Sequence, residues 1–494
     1  MKAKDKDKNK ATEQDQGSEN TQIRPMGANR TEAMGKDPIW GLMLRFSGPA
    51  IVSMLVASSY NIVDAIFVGR LGPEALAALT VAFPVMMIFM AIAMGTGIGA
   101  ASLISRRLGA GEREEANRVA SISITLSILV GALMTLIVLP NMEPLLRLFG
   151  AGESILPLAK SYLSVLATFA VVEFFPLVAT NVIRAEGRPV FSSTIMIISA
   201  LGNIVLDPIL IFGLGPIPAM GVGGAAIATA GGRAIGAAVL IIYFASGKSS
   251  YKFRPRYFML NMRIVFEIYR VGIASIAHSA AGSFVMALVN RTAASFGVVP
   301  LAVMGVLFRA SSFAFMPCVG LGQGVLPLVG YNFGAKQKER IGEIVVKAGL
   351  ASLAWGALCW IVAMLISTQI MSIFNTDPQF LTEGSPAFRI FACGFFLIGA
   401  QMILSHFFQG IGKGLPSLVL ASARQIIFLL PLLLIFPRIF GLTGLWISFP
   451  ISDVLSIVLT LTWTSIEFRR QGIKFRLRYQ RVDLEKDPSG TSAG

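Results

Sequence analysis

The chain has 494 residues, of which 54% are hydrophobic and only 14% charged, against about 25% charged in an ordinary soluble domain. So few charges cannot clothe a soluble surface, which excludes a soluble enzyme and leaves a polytopic membrane protein. The formal net charge of +15 raises nucleic acid as a partner, a reading that the placement of the charges decides.

Met1 to Asp37 is polar, rich in Lys, Asp, Glu and Gln, and lacks the apolar core of a secretory signal. It predicts a disordered cytoplasmic tail over 1–39. Beyond it, a window of about 19 residues finds roughly twelve apolar stretches, each near the length needed to cross the hydrocarbon as helix. They run near 42–66, 76–101, 119–140, 157–181, 190–212, 222–245, 264–294, 300–326, 345–371, 387–409, 416–437 and 442–466. Strands would span only as a closed barrel of short alternating segments, and these runs are continuous. The expected fold is therefore all-α, with twelve transmembrane helices in two six-helix lobes. The N-lobe covers 40–246, a basic cytoplasmic linker 247–263, the C-lobe 264–468 and a cytoplasmic tail 469–494.

Basic residues alternate with the spans. Connections on one side hold Arg106, Arg107, Arg113, Arg118, Arg184, Arg188, the cluster from Lys248 to Arg270, Lys336, Lys338, Arg340, Lys347 and Lys413. The other side holds little beyond Arg70, Arg147, Arg291 and Arg438. This positive-inside pattern puts both termini in the cytoplasm, as expected of a multi-pass protein of the plasma or inner membrane, and uses up the charge without nucleic acid. Cys318, Cys359 and Cys393 fall in apolar runs without metal-ligand spacing and read as buried thiols.

The halves repeat. A shift of 225 residues lays Gly72–Ala110 on Gly297–Ala335 with about eleven of 39 positions identical, among them Gly95, Gly97 and Gly99 on Gly320, Gly322 and Gly324. Ala185-Glu186-Gly187-Arg188 answers Gly410-Ile411-Gly412-Lys413, and a shift of 220 matches Gly221 and Gly224 with Gly441 and Gly444. An even number of spans separates the copies, so the lobes are parallel repeats, as in transporters that rock two bundles about a central substrate.

No ATP-driven engine is legible. Gly247-Lys248-Ser249 lacks the earlier glycine of a phosphate-binding loop, since position 242 is Ile242. His278 and His406 lie in separate apolar runs, which leaves no zinc site or nucleophile-base cluster and argues against an enzyme. An ion gradient remains, and intramembrane carboxylates are the candidates. Asp64 lies near the end of the first span, and Asp207 follows Asn203 by four residues in the fifth, so amide and carboxylate share a helix face where they can hold a proton or sodium. Pro208 loosens the backbone beside them. Only the N-terminal half has acids there: Asn290 and Leu430-Pro431 stand at the matching places. Glu173, Arg233, Arg309, Arg424 and Asp453 read mainly as interhelical partners or groups near a membrane face.

The segments Asp64-Ala65-Ile66-Phe67-Val68-Gly69-Arg70-Leu71-Gly72, Ile183-Arg184-Ala185-Glu186-Gly187, Gly202 to Phe212, Gly224 to Thr229 and Gly330-Tyr331-Asn332-Phe333-Gly334-Ala335 together resemble the multidrug and toxic compound extrusion (MATE) transporters, particularly their MepA-like branch. The likeness spans roughly residues 40–468. It implies a two-lobe exporter of amphipathic, often cationic compounds by antiport with proton or sodium, functional as a monomer and without a cofactor beyond the coupling ion. The family's N-lobe cation site falls on Asp64, Asn203 and Asp207, with Thr229 matching more weakly. Some relatives place a C-lobe cation site on a glutamate in span seven, where this chain reads His278-Ser279-Ala280-Ala281-Gly282-Ser283, without an acid. A flippase for lipid-linked sugars is the alternative, and a scaffold that moves nothing is a third reading.

Overall fold

The computed structural model describes residues 26–475. The first helix, α1 (Met26–Lys36), corrects the expectation of disorder over 1–39 within its own range, while residues 1–25 lie outside the described residues. Its polar composition offers little to bury, but Met34 is fully buried, and the helix finds partners in both halves of the molecule. Thr31 Oγ1 donates to the Glu186 carbonyl at 3.4 Å, and Asn332 Nδ2 donates to the Met34 carbonyl at 3.1 Å.

The N-lobe consists of α2 (Ile39–Gly69), α3 (Pro73–Gly109), α4 (Arg113–Val138), α5 (Met142–Leu148), α6 (Leu156–Thr168), α7 (Ala170–Ala185), α8 (Pro189–Phe212) and α9 (Gly221–Ala245). The C-lobe consists of α10 (Met262–Ser295), α11 (Val298–Gly334), α12 (Lys338–Ser372), α13 (Pro378–Ala392), α14 (Phe395–Gly410), α15 (Gly414–Ser422), a π-helical turn at Ala423–Leu429 and α16 (Leu430–Gln471). The fourth and tenth spans, expected as single helices, are bent pairs, by 53° between α6 and α7 and by 41° between α13 and α14. Phe169 and Gly394, which begin the second member of each pair, are related by the 225-residue shift. The apolar run from Gly414 to Gln471 has 58 residues, about twice what one crossing needs. It divides at Gly441, whose φ of +57° leaves helical space, so it carries spans eleven and twelve. The bundle thereby reaches twelve spans, and α5 is a short additional helix that no span required.

The repeat is expressed in detail. α3 and α11 each have 37 residues, and each follows a glycine at positive φ, Gly72 at +122° and Gly297 at +127°. Gly97 leaves room for Asn181 and Gly322 for His406, equivalent residues of the two halves. The other matched glycines bring helices together across the lobes: Gly95 and Gly99 lie on the backbone of α10, and Gly320 and Gly324 on that of α2. At the ends of α3 and α11 the contact is reciprocal, because Gly109 faces the Tyr331 carbonyl and Gly334 faces that of Arg106. Small residues that let backbones approach are the usual adhesive between helices in lipid, where apolar burial gives no advantage.

The basic segment 247–263 is anchored to the N-lobe. The buried Glu186 carboxylate accepts from Tyr243 Oη at 3.1 Å, Ser249 Oγ at 3.1 Å and the Ser250 backbone N–H at 2.5 Å. Tyr251 and Tyr257 are buried as well, so this segment has a packed course rather than a free one.

Candidate functional site

Asp64 and Asp207 each stand five residues before the last residue of their helices, Gly69 of α2 and Phe212 of α8. They therefore lie in the half of the N-lobe remote from the basic end. α2 and α8 pack side by side, which puts the Asp64 carboxylate within electrostatic reach of Asp207. Asn203 Nδ2 donates to Asp207 Oδ1 at 3.2 Å, one turn away on the same face, and points its remaining donor at Thr229 Oγ1 on α9 at 3.5 Å. Pro208, inside α8, withholds the N–H that would have paired with the Ile204 carbonyl. Asp64, Asn203, Asp207 and Thr229, drawn from three helices, are thus one neighbourhood.

Its acceptors exceed its donors. Asp207 is 0% exposed and Asn203 3% exposed, and Asp64 Oδ1, Asn203 Oδ1 and Asp207 Oδ2 make no hydrogen bond to the protein. Buried polar atoms are usually paired, because an unpaired one loses its solvation without return. Three unpaired oxygens on side chains within electrostatic reach of one another, two of them carboxylate, suit a proton or a hard monovalent cation; the absence of soft ligands is unsuited to a transition metal.

A second polar network adjoins the first. Arg233 of α9 pairs with Glu173 of α7 at 3.3 Å and donates to Tyr60 Oη at 3.4 Å. Tyr60 lies one turn before Asp64, and the buried Tyr162 is also within reach of the Asp64 charge. Neither tyrosine was singled out in the sequence, although the four-residue spacing of Tyr60 from Asp64 was a signal that periodicity carries.

The C-lobe differs. Arg233 and Asp453 are equivalent under the 220-residue shift, so the sixth span of each half carries one charge of opposite sign, partly buried at Arg233 and fully buried at Asp453. Arg233 reaches Glu173 just after the bend of the fourth span, and Asp453 lies over Gly394 at the bend of the tenth. Asp453 pairs with Arg424 of the π-helical turn at 2.5 Å, leaving that lobe's acid neutralised. His278 Nδ1 donates to the Ala421 carbonyl of another helix and His406 Nδ1 to that of Met402 on its own helix, both at 2.7 Å. Arg309 is exposed. No group of three or more His, Cys, Asp or Glu capable of holding a metal occurs among the described residues.

The MatE family profile matches residues 49–209 and 274–435, one segment in each lobe. The chain belongs to the MatE family. The multidrug export protein MepA of Staphylococcus haemolyticus (strain JCSC1435) is 30% identical over 427 residues, 86% of this chain and 92% of that protein. MepA of Staphylococcus aureus (strain N315) is 29% identical over 424 residues, 85% and 92% of the two chains. Among solved structures, a MOP superfamily transporter from Pyrococcus furiosus has a TM-score of 0.84 at 29% identity, covering 90% of this chain and 99% of its own. An outward-facing multidrug resistance MATE transporter aligns with the same values. A multi-pass MatE multidrug efflux transporter therefore accounts for the two-lobe fold, and its relatives are named as exporters rather than enzymes.

Proposed function

We propose that this MatE protein is a secondary active exporter of amphipathic and cationic compounds, driven by inward movement of a proton or sodium ion bound at Asp64, Asn203 and Asp207, with Thr229 as an auxiliary ligand. The supporting observation is that Asp64, Asn203 and Asp207 of the N-lobe each carry a buried oxygen without a hydrogen bond, while the C-lobe acid Asp453 is neutralised. The basic end, which holds α1, the 247–263 segment and the end of α16, faces the cytoplasm under the positive-inside rule. The ion site then lies toward the outside, where the driving ion is captured. Occupation of the carboxylates by that ion removes the negative charge that holds a cationic substrate, so capture favours substrate release and the lobes return. One elementary charge crossing the field contributes about 2.3 kcal/mol per 100 mV.

In liposomes under an imposed proton or sodium gradient, a fluorescent cation is expected to move with the wild type and to stop with Asp64→Asn or Asp207→Asn, while both variants remain folded. Gradient-driven movement that survives both substitutions overturns the site assignment. Movement under one gradient only identifies the ion. Labelling intact cells with an impermeant thiol reagent, with Glu339→Cys at the basic end and Glu153→Cys at the other in a chain freed of its native cysteines, tests the orientation: only Glu153→Cys is expected to react.

A further inference from the structure

The exchange mechanism makes no use of a cavity of about 550 Å³ at the basic end, where α3 and α11 meet. Its walls come from both lobes. Arg106 and Arg107 line it from α3, Lys336 and Lys338 from the turn after α11 and the start of α12, and the residues after α16 close one side. Four cations therefore face one lining acid, Glu112. Arg107 already has partners, Glu112 at 2.5 Å and Glu267 at 3.6 Å. Among the described residues no carboxylate lies within 4.0 Å of the charged groups of Arg106, Lys336 or Lys338. Among the described residues Arg106 donates to the Ser102 carbonyl of its own helix, at 3.3 Å, and its guanidinium lies against Gly412.

A topological preference for basic residues accounts for their side of the membrane but not for this backbone. Lys336 has φ +59° and is the one non-glycine residue at positive φ among the described residues. Its counterpart under the 225-residue shift is Gly111, at φ +80°. The first repeat meets this left-handed turn with the residue that adopts it freely, and the second places a lysine there against its conformational preference. Such outliers persist where the surroundings over-determine them, commonly at ligand sites. Here the outlier is a cation lining a cavity in which three cations have, among the described residues, no carboxylate within 4.0 Å.

We propose that this cavity is a binding site for a phosphate-bearing anion, bridged by Arg106 and Arg107 of one lobe and Lys336 and Lys338 of the other, and that its occupation stabilises the state in which the ends of α3 and α11 touch. Guanidinium groups give phosphate paired, directional hydrogen bonds, and the lysines add mobile charge. The two halves of the site separate when the lobes part at this end, so the anion binds one conformation in preference to the other and shifts the population toward it. If the phosphate is a lipid headgroup, it belongs to the leaflet on the basic side, and that detail rests on the cytoplasmic orientation proposed above. Free phosphate offers the same chemistry.

The full chain in nanodiscs of phosphatidylcholine alone, of phosphatidylcholine with phosphatidylglycerol, and of phosphatidylcholine with inorganic phosphate at matched ionic strength separates the two sources. Amide hydrogen exchange over residues 100–112 and 331–341 is the readout. Slower exchange with phosphatidylglycerol only identifies a headgroup, and slower exchange with inorganic phosphate shows that the free anion suffices. The Lys336→Gly/Lys338→Gln variant keeps the turn, since glycine adopts it without strain, and is expected to weaken the anion's effect on the order of tenfold. Arg107→Gln is an independent second variant with the same expected direction. No slowing by either anion, or slowing that persists unchanged in both variants, overturns the proposal. Nanodiscs expose both faces, so a negative result counts against the site and not against the orientation, which the thiol labelling tests separately.

Discussion

Gly109 and Gly334 permit the two lobes to touch at the basic end, and adding a single methyl group to either tests whether that contact sets the transport cycle. A Cβ on Gly109 would fall on the Tyr331 carbonyl, 2.7 Å from its carbon and 3.0 Å from Ala335 N. A Cβ on Gly334 would lie 2.9 Å from both Ala110 N and the Arg106 carbonyl carbon. Every one of these neighbours is backbone, so no side chain can rotate aside. Overpacking of this kind costs about 1–3 kcal/mol, a factor of about 5 to 150 in an equilibrium. The cost arises only while the ends touch, so Gly109→Ala and Gly334→Ala should open the basic end rather than unfold the chain. Pulsed spin-label distances between Arg113→Cys and Glu339→Cys, in a chain freed of its native cysteines, should lengthen for each variant, with little change in melting temperature. The double variant should fall short of the sum, because one methyl group already parts the contact. Gly349→Ala, with nothing within 4 Å of the added carbon, should be silent. An unchanged distance distribution in both single variants refutes the reasoning.

The Glu173–Arg233 pair gives a second test. Removing one partner leaves a largely buried charge, with each side chain 15% exposed, which costs up to about 3–5 kcal/mol, whereas replacing both is far milder; Glu173→Gln and Arg233→Met should each lower thermal stability, and the double variant should recover most of it. At the ion site, Thr229→Val should weaken gradient-driven export only modestly, since the Asn203–Thr229 contact is long at 3.5 Å, and a loss as complete as that of Asp207→Asn would make Thr229 a principal ligand instead. Deleting residues 1–36 removes the contacts that α1 makes with Glu186 in one lobe and Asn332 in the other, and should speed hydrogen exchange at the ends of α3 and α11. Unchanged exchange there would show that α1 does not brace the ends of α3 and α11.

The all-helical class, the span number, the duplication and the ion-site candidates were legible along the chain, because each is a one-dimensional property. Apolar runs have the length the bilayer demands, a repeat preserves residue spacing, and Asn203 and Asp207 share a face through helical periodicity alone. Whatever depends on which helices become neighbours emerged only from the packing of the bundle. Asp64 comes within electrostatic reach of Asp207 because α2 packs on α8, and Arg233 finds Glu173 on α7 just after the bend at Phe169. The bends were illegible because Phe169 and Gly394 interrupt apolar runs without changing their hydropathy, and the order of α1 was illegible because its partners lie far along the chain in both lobes. The matched glycines announced a repeat, but their role as cross-lobe contacts required three dimensions. In lipid, association depends on how closely backbones approach, and a sequence does not state which backbone each glycine will face.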